Sequence, residues 1–216
     1  MPTSNWQNIS YNIELIRKIN PQTILDVGVG FGRWGILMRE FLEVWDNNNY
    51  KGEWKRRIDG IEIFPDYLKP YHSYFYNNIY TQDAYDFLRE TKNQYDLINF
   101  GDVIEHFTKD KAYEIMKLAL EKGKYSLVNI PIGTNWQQKC DYNEYENHLS
   151  SWEISDFDFL QHKKMKIFKD YVERKFAVIL FSNEKINLRK YDIEHAKNIL
   201  KYKLGLKDFI EKIKSK

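Results

Sequence analysis

The chain has 216 residues, of which 43% are hydrophobic and 16% aromatic, so its length and composition fit one ordered domain with a buried core. This composition excludes a disordered protein, and a net charge of +2 excludes a strong bulk attraction to nucleic acid or anionic membranes. The single cysteine, Cys140, excludes an intrachain disulfide framework.

The first residues, Met-Pro-Thr-Ser-Asn-Trp, lack the basic and apolar regions of a secretory signal peptide. No apolar run approaches the roughly 20 residues that a membrane-spanning helix needs. Together with the lone cysteine, these features predict a cytoplasmic protein without an integral membrane segment.

Short apolar strands alternate with helical patterns through the first half of the chain, which is typical of βαβ units. The predicted elements are a helix over 8–19, a strand over Thr23–Val27, a helix over Gly32–Trp45, a strand over Ile58–Ile63, a short helix beginning near Pro65, a strand over Asn78–Thr81 and a helix from Asp83 to Arg89.

The second half continues the alternation and then changes to a hairpin. Its predicted elements are a strand over Tyr95–Phe100, a helix between Thr108 and Gly123, a strand over Lys124–Ile130 stopped by Pro131, a helix from the capping-box spacing Ser150-x-x-Glu153 to about Gln161, and paired strands over Lys164–Asp170 and Phe176–Ser182. The order predicts a doubly wound, Rossmann-like α/β fold with a seven-stranded, mostly parallel sheet whose last strand is antiparallel.

Residues 1–182 are expected to form one domain, with a polar and aromatic cap inserted at about 132–153. Residues 183–216 are lysine-rich and carry two apolar stripes at helical spacing, which predicts a basic amphipathic tail. Such a tail can pack on the domain, form a homodimer contact, lie on a membrane surface or meet an acidic partner, and the sequence leaves these alternatives open.

The most informative motif follows the first strand, where Asp26 precedes three alternating glycines, Gly28, Gly30 and Gly32. Glycines permit a tight turn and a close approach of a ligand to the backbone. A dinucleotide site reads G-x-G-x-x-G/A and needs a small residue at position 33, where this chain has Arg33. The motif instead resembles the first motif of the class I S-adenosylmethionine (SAM)-dependent methyltransferases, which implies that Asp26 and the glycines hold the amino-acid end of SAM.

The resemblance extends to the ends of the following strands. It implies that Glu62 binds the ribose hydroxyls, that Ile63 forms a wall of the adenine pocket, and that Asp83 and Ala84 contact the adenine. Asp102, after the fourth strand, is expected to complete the cofactor site. The alternatives are a surface carboxylate at Glu62 and a helix N-cap at Asp83, and the latter is compatible with binding.

The stretch Asp102-Val-Ile-Glu-His106 resembles the D-x-x-E-H segment of small-molecule methyltransferases, which faces the transferred methyl group. The resemblance implies a catalytic role for His106. Some of those enzymes bind a divalent cation with the acid–acid–histidine trio, here Asp102, Glu105 and His106, and a hard cation such as Mg²⁺ favours carboxylate oxygens. Capping of the next helix is the other role open to both acids, and a metal is not expected.

The cap contains Tyr145-Glu-Asn-His-Leu-Ser-Ser-Trp152, which resembles the Y-E-x-H-x-S-x-W segment of methyltransferases of glycan and natural-product pathways. His148 is therefore a candidate general base, because an imidazole titrates near neutrality. Trp136, Tyr145 and Trp152 are candidates for stacking on a sugar or aromatic acceptor. The alternative is that Trp152 anchors the following helix and His148 bonds a backbone group.

These features together predict methyl transfer from SAM to a small-molecule acceptor, namely a hydroxyl of a sugar or secondary metabolite. The alternatives are an N-methyltransferase of a small molecule or protein and a SAM-binding regulatory protein without catalysis. Gly101-Asp-Val-Ile104 stands where many nucleic-acid and protein amino methyltransferases have an Asn/Asp-Pro-Pro-Tyr/Phe segment. With no basic stripe beside the site, a nucleic-acid partner is not expected.

Overall fold

The computed structural model describes residues 5–45, 53–136 and 140–188. Contacts between residues divide the chain into two compact units, Met1–Ile186 and Asn187–Lys216, and all the described strands and helices belong to the first. The predicted loop over 46–52 lies outside the described residues, as does the predicted tail from residue 189 onwards, so its amphipathic helix and its dimer contact stay predictions.

The core of the fold is one sheet of seven strands. These are β1 Thr23–Val27, β2 Arg57–Ile61, β3 Asn78–Tyr80, β4 Tyr95–Gly101, β5 Gly123–Ile132, β6 His162–Lys169 and β7 Lys175–Ser182. Their spatial order is β3-β2-β1-β4-β5-β7-β6. The first five strands are parallel, and β7 runs antiparallel to both β5 and β6. The predicted fold class is therefore confirmed.

Helices cover both faces of this sheet. They are α1 Ile9–Ile19, α2 Arg33–Arg39 with a π-helical continuation Glu40–Val44, α3 His72–Phe75, α4 Ala84–Glu90 and α5 Lys109–Lys122. Helix α2 contacts α1 and α3, whereas α4 contacts α5. Alternate strand residues face opposite sides, and Leu25 and Val27 of β1 belong to the core that includes Phe87 and Ile115 of α4 and α5. None of the helices within the described ranges combines the length and apolar character needed to cross a bilayer.

Strand β5 extends beyond its predicted end. It continues through Pro131, which pairs with Phe176 of β7, to Ile132. Pairing of β5 with β4 ends at Gly101 opposite Asn129, so Pro131 lies past the last residue of β4. A proline, which has no N–H, is tolerated where one side of a strand is an edge, and this explains why the prediction of a stop was wrong.

The helix predicted from the Ser150-x-x-Glu153 spacing is wrong as well, because the structure has a single 3₁₀ turn at Ile154–Phe157. The capping pair lies three residues later, where the Glu153 amide donates to the Asp156 carboxylate at 2.7 Å. Ser150 has another role, since its hydroxyl accepts from the Trp152 indole N–H at 2.8 Å. Spacing alone could not distinguish these two capping registers.

Candidate cofactor and acceptor site

A cavity of about 750 Å³ lies outside the carboxyl ends of the central parallel strands. Strand β1 has β2 on one side and β4 on the other, which makes this edge the topological switch point where ligands of open α/β sheets bind. The predicted site residues that line the cavity are Gly28, Gly30, Glu62, Ile63, Asp83, Ala84, Asp102, His106, Trp136, Tyr145 and His148. Asp26, Gly32 and Trp152 are absent from its lining.

The glycine turn is shaped by close contacts with neighbouring segments. Gly28 has a φ of 75°, and a Cβ at this position would clash with Cγ2 of Val103. Gly32 has a φ of 81° and precedes α2, where a Cβ would lie 3.0 Å from the ring of His72. Gly28 thus shapes the wall of the cavity, whereas Gly32 supports the turn from behind, and a ligand contact at Gly32 stays a prediction.

Glu62 joins the glycine turn to the end of β2. Its Oε2 accepts from the Gly30 amide and its Oε1 from the Phe64 amide, both at 2.8 Å. The side chain is buried, and this burial raises the pKa of its carboxyl. Each carboxylate oxygen can accept a further hydrogen bond, so Glu62 can hold the turn and still present acceptor positions to a diol in the cavity.

Asp26 is fully buried behind the turn and is already engaged with the protein. Its Oδ2 accepts from the Tyr76 hydroxyl at 2.6 Å and its Oδ1 from the Asn99 side-chain amide at 2.8 Å. Asp26 therefore supports the glycine turn from behind, and its direct contact with a cofactor stays a prediction. Burial raises the pKa of Asp26 from 3.8 to about 7, although both hydrogen bonds oppose this shift.

The raised pKa of Asp26 predicts a specific dependence of stability on pH. Because its folded-state pKa lies above the unfolded value of 3.8, the stability from this group is fully present below about pH 4 and is lost as the pH rises through about 7. In urea denaturation at pH 5 and pH 8, we expect the wild-type free energy of unfolding to fall by about 2 kcal/mol more than that of Asp26→Asn. If the free energy of unfolding fell equally in the two proteins between pH 5 and pH 8, the raised pKa of Asp26 would be contradicted.

Two residues that the sequence did not indicate support the glycine turn. They are His72, the first residue of α3, and Tyr76, which directly follows this helix. His72 is buried, its Nδ1 accepts from the Lys69 amide at 2.9 Å, and its Nε2 lies 3.1 Å from the carbonyl oxygen of Gly30. Because Nδ1 accepts, Nε2 carries the hydrogen and donates to Gly30. The Tyr76 hydroxyl also accepts from the Gly35 amide at 3.1 Å. No sequence motif surrounds either residue, and only the tertiary structure places them here.

The N-terminal segment also contributes to the cavity, which the sequence did not predict. Asn5 and Trp6 are lining residues that directly precede α1. The side-chain amides of Asn8 and Asn12 both donate to Oδ1 of Asn129 on β5, at 3.0 and 2.9 Å, and all three residues are buried. This pairing fixes where α1 lies on the sheet and thereby places the two lining residues.

Asp83 and Ala84 lie where β3 leads into α4. The Asp83 carboxylate accepts from the Tyr85 amide at 2.8 Å, which confirms the N-cap that the sequence indicated. Its other oxygen pairs with Lys111 of α5 at 3.1 Å. Ala84 adds a small apolar side chain to the lining beside Ile63. This part of the cavity therefore combines an acid with apolar walls, as an adenine pocket requires.

Asp102 follows β4 in a left-handed backbone conformation, with a φ of 56°. Its amide donates to the carbonyl of Asn129 at 3.2 Å, which secures the turn. A non-glycine residue in this region stores local strain, and such strain is common at functional sites. The turn directs the chain from the cofactor side of the cavity into Glu105 and His106.

Glu105, His106 and His148 meet in the adjoining part of the cavity, with one ligand-type atom from each lying within 4.8 Å of the others. The two imidazole rings are edge to face, with centroids 5.1 Å apart. Burial, together with the neighbouring His106, lowers the pKa of His148 to about 4, whereas burial and the Asp102 charge raise that of Glu105 well above its usual value. The imidazole of His148 is therefore uncharged at pH 7 and can act as a proton acceptor or a metal ligand.

The cap is tied to the loop after β4 by several hydrogen bonds. The carbonyl of Glu105 accepts from the amides of Leu149 and Ser150, at 2.9 and 3.1 Å. Nδ1 of His106 lies 3.2 Å from the carbonyl of Asn147. The cap also reaches the 3₁₀ turn Pro65–Tyr67 that follows β2, where the side-chain amide of Asn143 donates to the hydroxyl of Tyr67 at 3.1 Å. These contacts hold His148 beside the other two side chains.

Trp152 is a core residue, which corrects its expected role in acceptor binding. It is only 1% exposed and its ring stacks on Phe157, with centroids 5.2 Å apart. Tyr113 of α5 contacts it edge to face at 5.4 Å. The amide of Gly133 donates to its carbonyl at 2.8 Å and closes the base of the cap. The alternative reading of Trp152 as an anchor is the one that the structure supports.

Aromatic side chains surround the mouth of the cavity beside the histidines. Trp136 and Tyr145, both predicted, line it, and they are joined by the exposed Trp6 and Tyr171. The Trp136 indole donates to the carbonyl of Lys175 at 2.8 Å, and the Arg174 guanidinium lies 4.0 Å from its ring centroid. Trp136 is thus fixed to the β6–β7 hairpin with one ring face covered by a cation.

No protein-family model matches the sequence, and no curated protein matches it. Solved structures do match. A SAM-dependent methyltransferase from Archaeoglobus fulgidus has a TM-score of 0.57 at 15% identity, with 80% of this chain and 93% of that chain covered. Magnesium protoporphyrin IX methyltransferase (ChlM) from Synechocystis PCC 6803 with bound SAH has a TM-score of 0.57 at 10% identity, covering 82% and 83%.

The N-methyltransferase NodS from Bradyrhizobium japonicum WM9 is a third similar structure, with a TM-score of 0.52 at 10% identity, covering 80% of this chain and 94% of that chain. Likeness at these identities establishes the fold. The sequence-based resemblance and the structural likeness therefore agree on the same fold class.

Proposed function

The chain has the fold of the class I SAM-dependent methyltransferases, and from this premise we propose that it binds SAM and methylates a small-molecule acceptor. The observation that carries the proposal is a single cavity that joins Glu62 and the glycine turn to the two histidines and the aromatic mouth. When bound, SAM supplies an electrophilic methyl group on a sulfonium. The acceptor that we propose is a hydroxyl group of a sugar or secondary metabolite.

The lining residues fit SAM at both of its ends. Glu62 offers carboxylate oxygens for the ribose diol, and Ile63 and Ala84 supply apolar walls beside Asp83 for the adenine. Trp34, which also lines the cavity, has a buried indole N–H without a hydrogen-bond partner among the described residues. Such a donor is suited to an anionic group, which SAM carries as the carboxylate of its methionine part.

The residues of the acceptor side have roles that follow from their positions. Trp136 and Tyr145 of the cap line the cavity and offer aromatic faces for a sugar or an aromatic ring. We assign removal of the acceptor proton to the neighbouring pair His106 and His148, and the lowered pKa of His148 keeps its imidazole uncharged at neutral pH. This favours a hydroxyl acceptor, whose proton is lost on methylation, over a role as a silent SAM-binding protein.

Isothermal titration calorimetry tests the cofactor assignment. We expect the purified protein to bind SAM and S-adenosylhomocysteine at one site each and to give no heat with NADH. The physical reason is that Arg33 stands where a dinucleotide turn needs a small residue. Binding of NADH with no response to SAM would refute the proposal, and formation of S-adenosylhomocysteine with hydroxylated acceptors would separate an enzyme from a silent binder.

A further inference from the structure

The group formed by Glu105, His106 and His148 has the composition of a metal site. The described residues bring these three side chains together from the loop after β4 and from the cap, with a possible ligand atom of each within 4.8 Å of the others. Asp102, which the D-x-x-E-H resemblance would have included, is replaced in this group by His148. The combination is therefore two imidazoles and one carboxylate.

Glu105 provides an independent indication that something is bound here. Its side chain is 2% exposed, and its Oε2 has no hydrogen-bond partner among the described residues. The salt bridges of the described residues include none to Glu105. A buried carboxylate oxygen left in this state costs free energy unless a cation or donor satisfies it.

The hydrogen bond of His106 leaves the correct ring nitrogen available. Its Nδ1 lies 3.2 Å from the carbonyl oxygen of Asn147, and because a carbonyl only accepts, Nδ1 carries the hydrogen. Nε2 then keeps its lone pair. Histidines that bind metals commonly donate their second N–H to a backbone carbonyl in this way, which fixes the tautomer and the ring.

The site is also assembled before any ligand binds. The Glu105 carbonyl accepts from the amides of Leu149 and Ser150, which follow His148, and the carbonyl of Asn147, which precedes it, bonds to His106. The backbone on both sides of His148 is thus held to the loop that carries the other two ligands. A site on a restrained backbone needs little rearrangement to bind an ion.

We propose that Glu105, His106 and His148 bind one divalent first-row transition-metal ion, such as Mn²⁺, Co²⁺ or Zn²⁺. Imidazole ligands favour these ions over Mg²⁺ and Ca²⁺, which prefer oxygen ligands alone. Three protein ligands leave coordination positions open for oxygens of an acceptor. The proposed metal site depends only on these three side chains, whereas a role of the bound metal in methyl transfer rests on the proposed function. This inference differs from the sequence analysis, which did not expect a metal.

Metal binding itself provides the test, using untagged protein stripped of metal and without SAM. We expect Mn²⁺ to bind at one site, by electron paramagnetic resonance and calorimetry, and more tightly than Mg²⁺. Glu105→Gln and His148→Ala should each weaken Mn²⁺ binding at least about tenfold. The matched control is His162→Gln, since His162 lies on β6 outside the cluster and its replacement should leave binding unchanged.

Several results would overturn the proposal. They are no stoichiometric binding of Mn²⁺, Co²⁺ or Zn²⁺ by the wild-type protein, equal binding of Mg²⁺ and Mn²⁺, or wild-type affinity in folded Glu105→Gln and His148→Ala proteins. Circular dichroism and thermal melting establish whether each variant is folded. If one of the two variants misfolds, the other still tests the proposal. Calorimetry with SAM on the same preparations is a separate measurement, so a failed metal site and a failed methyltransferase assignment give different results.

Discussion

Replacement of Glu62 by alanine is expected to weaken binding of SAM by at least about 100-fold, which corresponds to roughly 2.8 kcal/mol. The carboxylate holds the amides of Gly30 and Phe64, each at 2.8 Å, and its remaining acceptor positions face the cavity. Alanine leaves both amides without that partner and removes the group proposed for the ribose hydroxyls. Leaving one buried donor unsatisfied costs about 1–3 kcal/mol. Calorimetric titration with SAM measures the effect directly.

A matched control separates this effect from a general loss of a surface charge. Glu114→Ala removes the same side chain from an exposed position of α5 that is absent from the cavity lining, and should bind SAM as the wild type does. Thermal melting of the Glu62→Ala protein should be recorded alongside, since the turn it supports is buried. Affinity within threefold of wild type in a folded Glu62→Ala protein would contradict the proposed role of this residue.

Replacement of Trp152 by alanine is expected to lower the free energy of unfolding by about 3–5 kcal/mol. The ring is 1% exposed, stacks on Phe157 and contacts Tyr113, and its indole N–H donates to Ser150. Its removal opens a cavity that the surrounding core cannot close completely. Urea denaturation followed by far-ultraviolet circular dichroism is the appropriate measurement, because the substitution itself changes the tryptophan fluorescence.

Trp136 is the comparison residue for this prediction, because it is a tryptophan of the same cap that lines the cavity. It is partly exposed, so Trp136→Ala should cost much less stability than Trp152→Ala and should act instead on turnover of an acceptor. If the two substitutions cost equal stability, the division between a core tryptophan and an acceptor-facing one is wrong.

The architecture could be predicted from sequence because its signals are local and repeated. Strands such as Thr23–Val27 and Tyr95–Gly101 are short apolar runs between helical patterns, and their alternation indicates a parallel sheet. The glycine turn is recognisable because it needs residues without a Cβ at fixed spacing. Glu62 and Asp83 were found because parallel strands bring their carboxyl ends to the same edge of the sheet.

The parts that sequence missed depend on partners far apart in the chain. The hydrogen bonds that Tyr76 and Asn99 donate to the two oxygens of Asp26 could not be read from the residues around Asp26. His72 has no motif around it, yet it supports the carbonyl of Gly30. The residues that flank Trp152 in the sequence do not show whether its side chain faces the cavity or the core. Side-chain direction in a cap is set by tertiary contacts, and these leave no periodic pattern.

The two anchors of the cap have a consequence for how acceptor selectivity can change. Trp136 is held by the β6–β7 hairpin through Lys175 and Arg174, whereas the residues after His148 are held by the loop after β4, because Leu149 and Ser150 donate to Glu105. His148 is also hydrogen-bonded to the backbone of Trp136, so the two anchors meet at this pair. Under the proposed function, a substitution in the hairpin that moves Trp136 should also move the histidine, and libraries aimed at new acceptors should vary the hairpin together with the residues around His148.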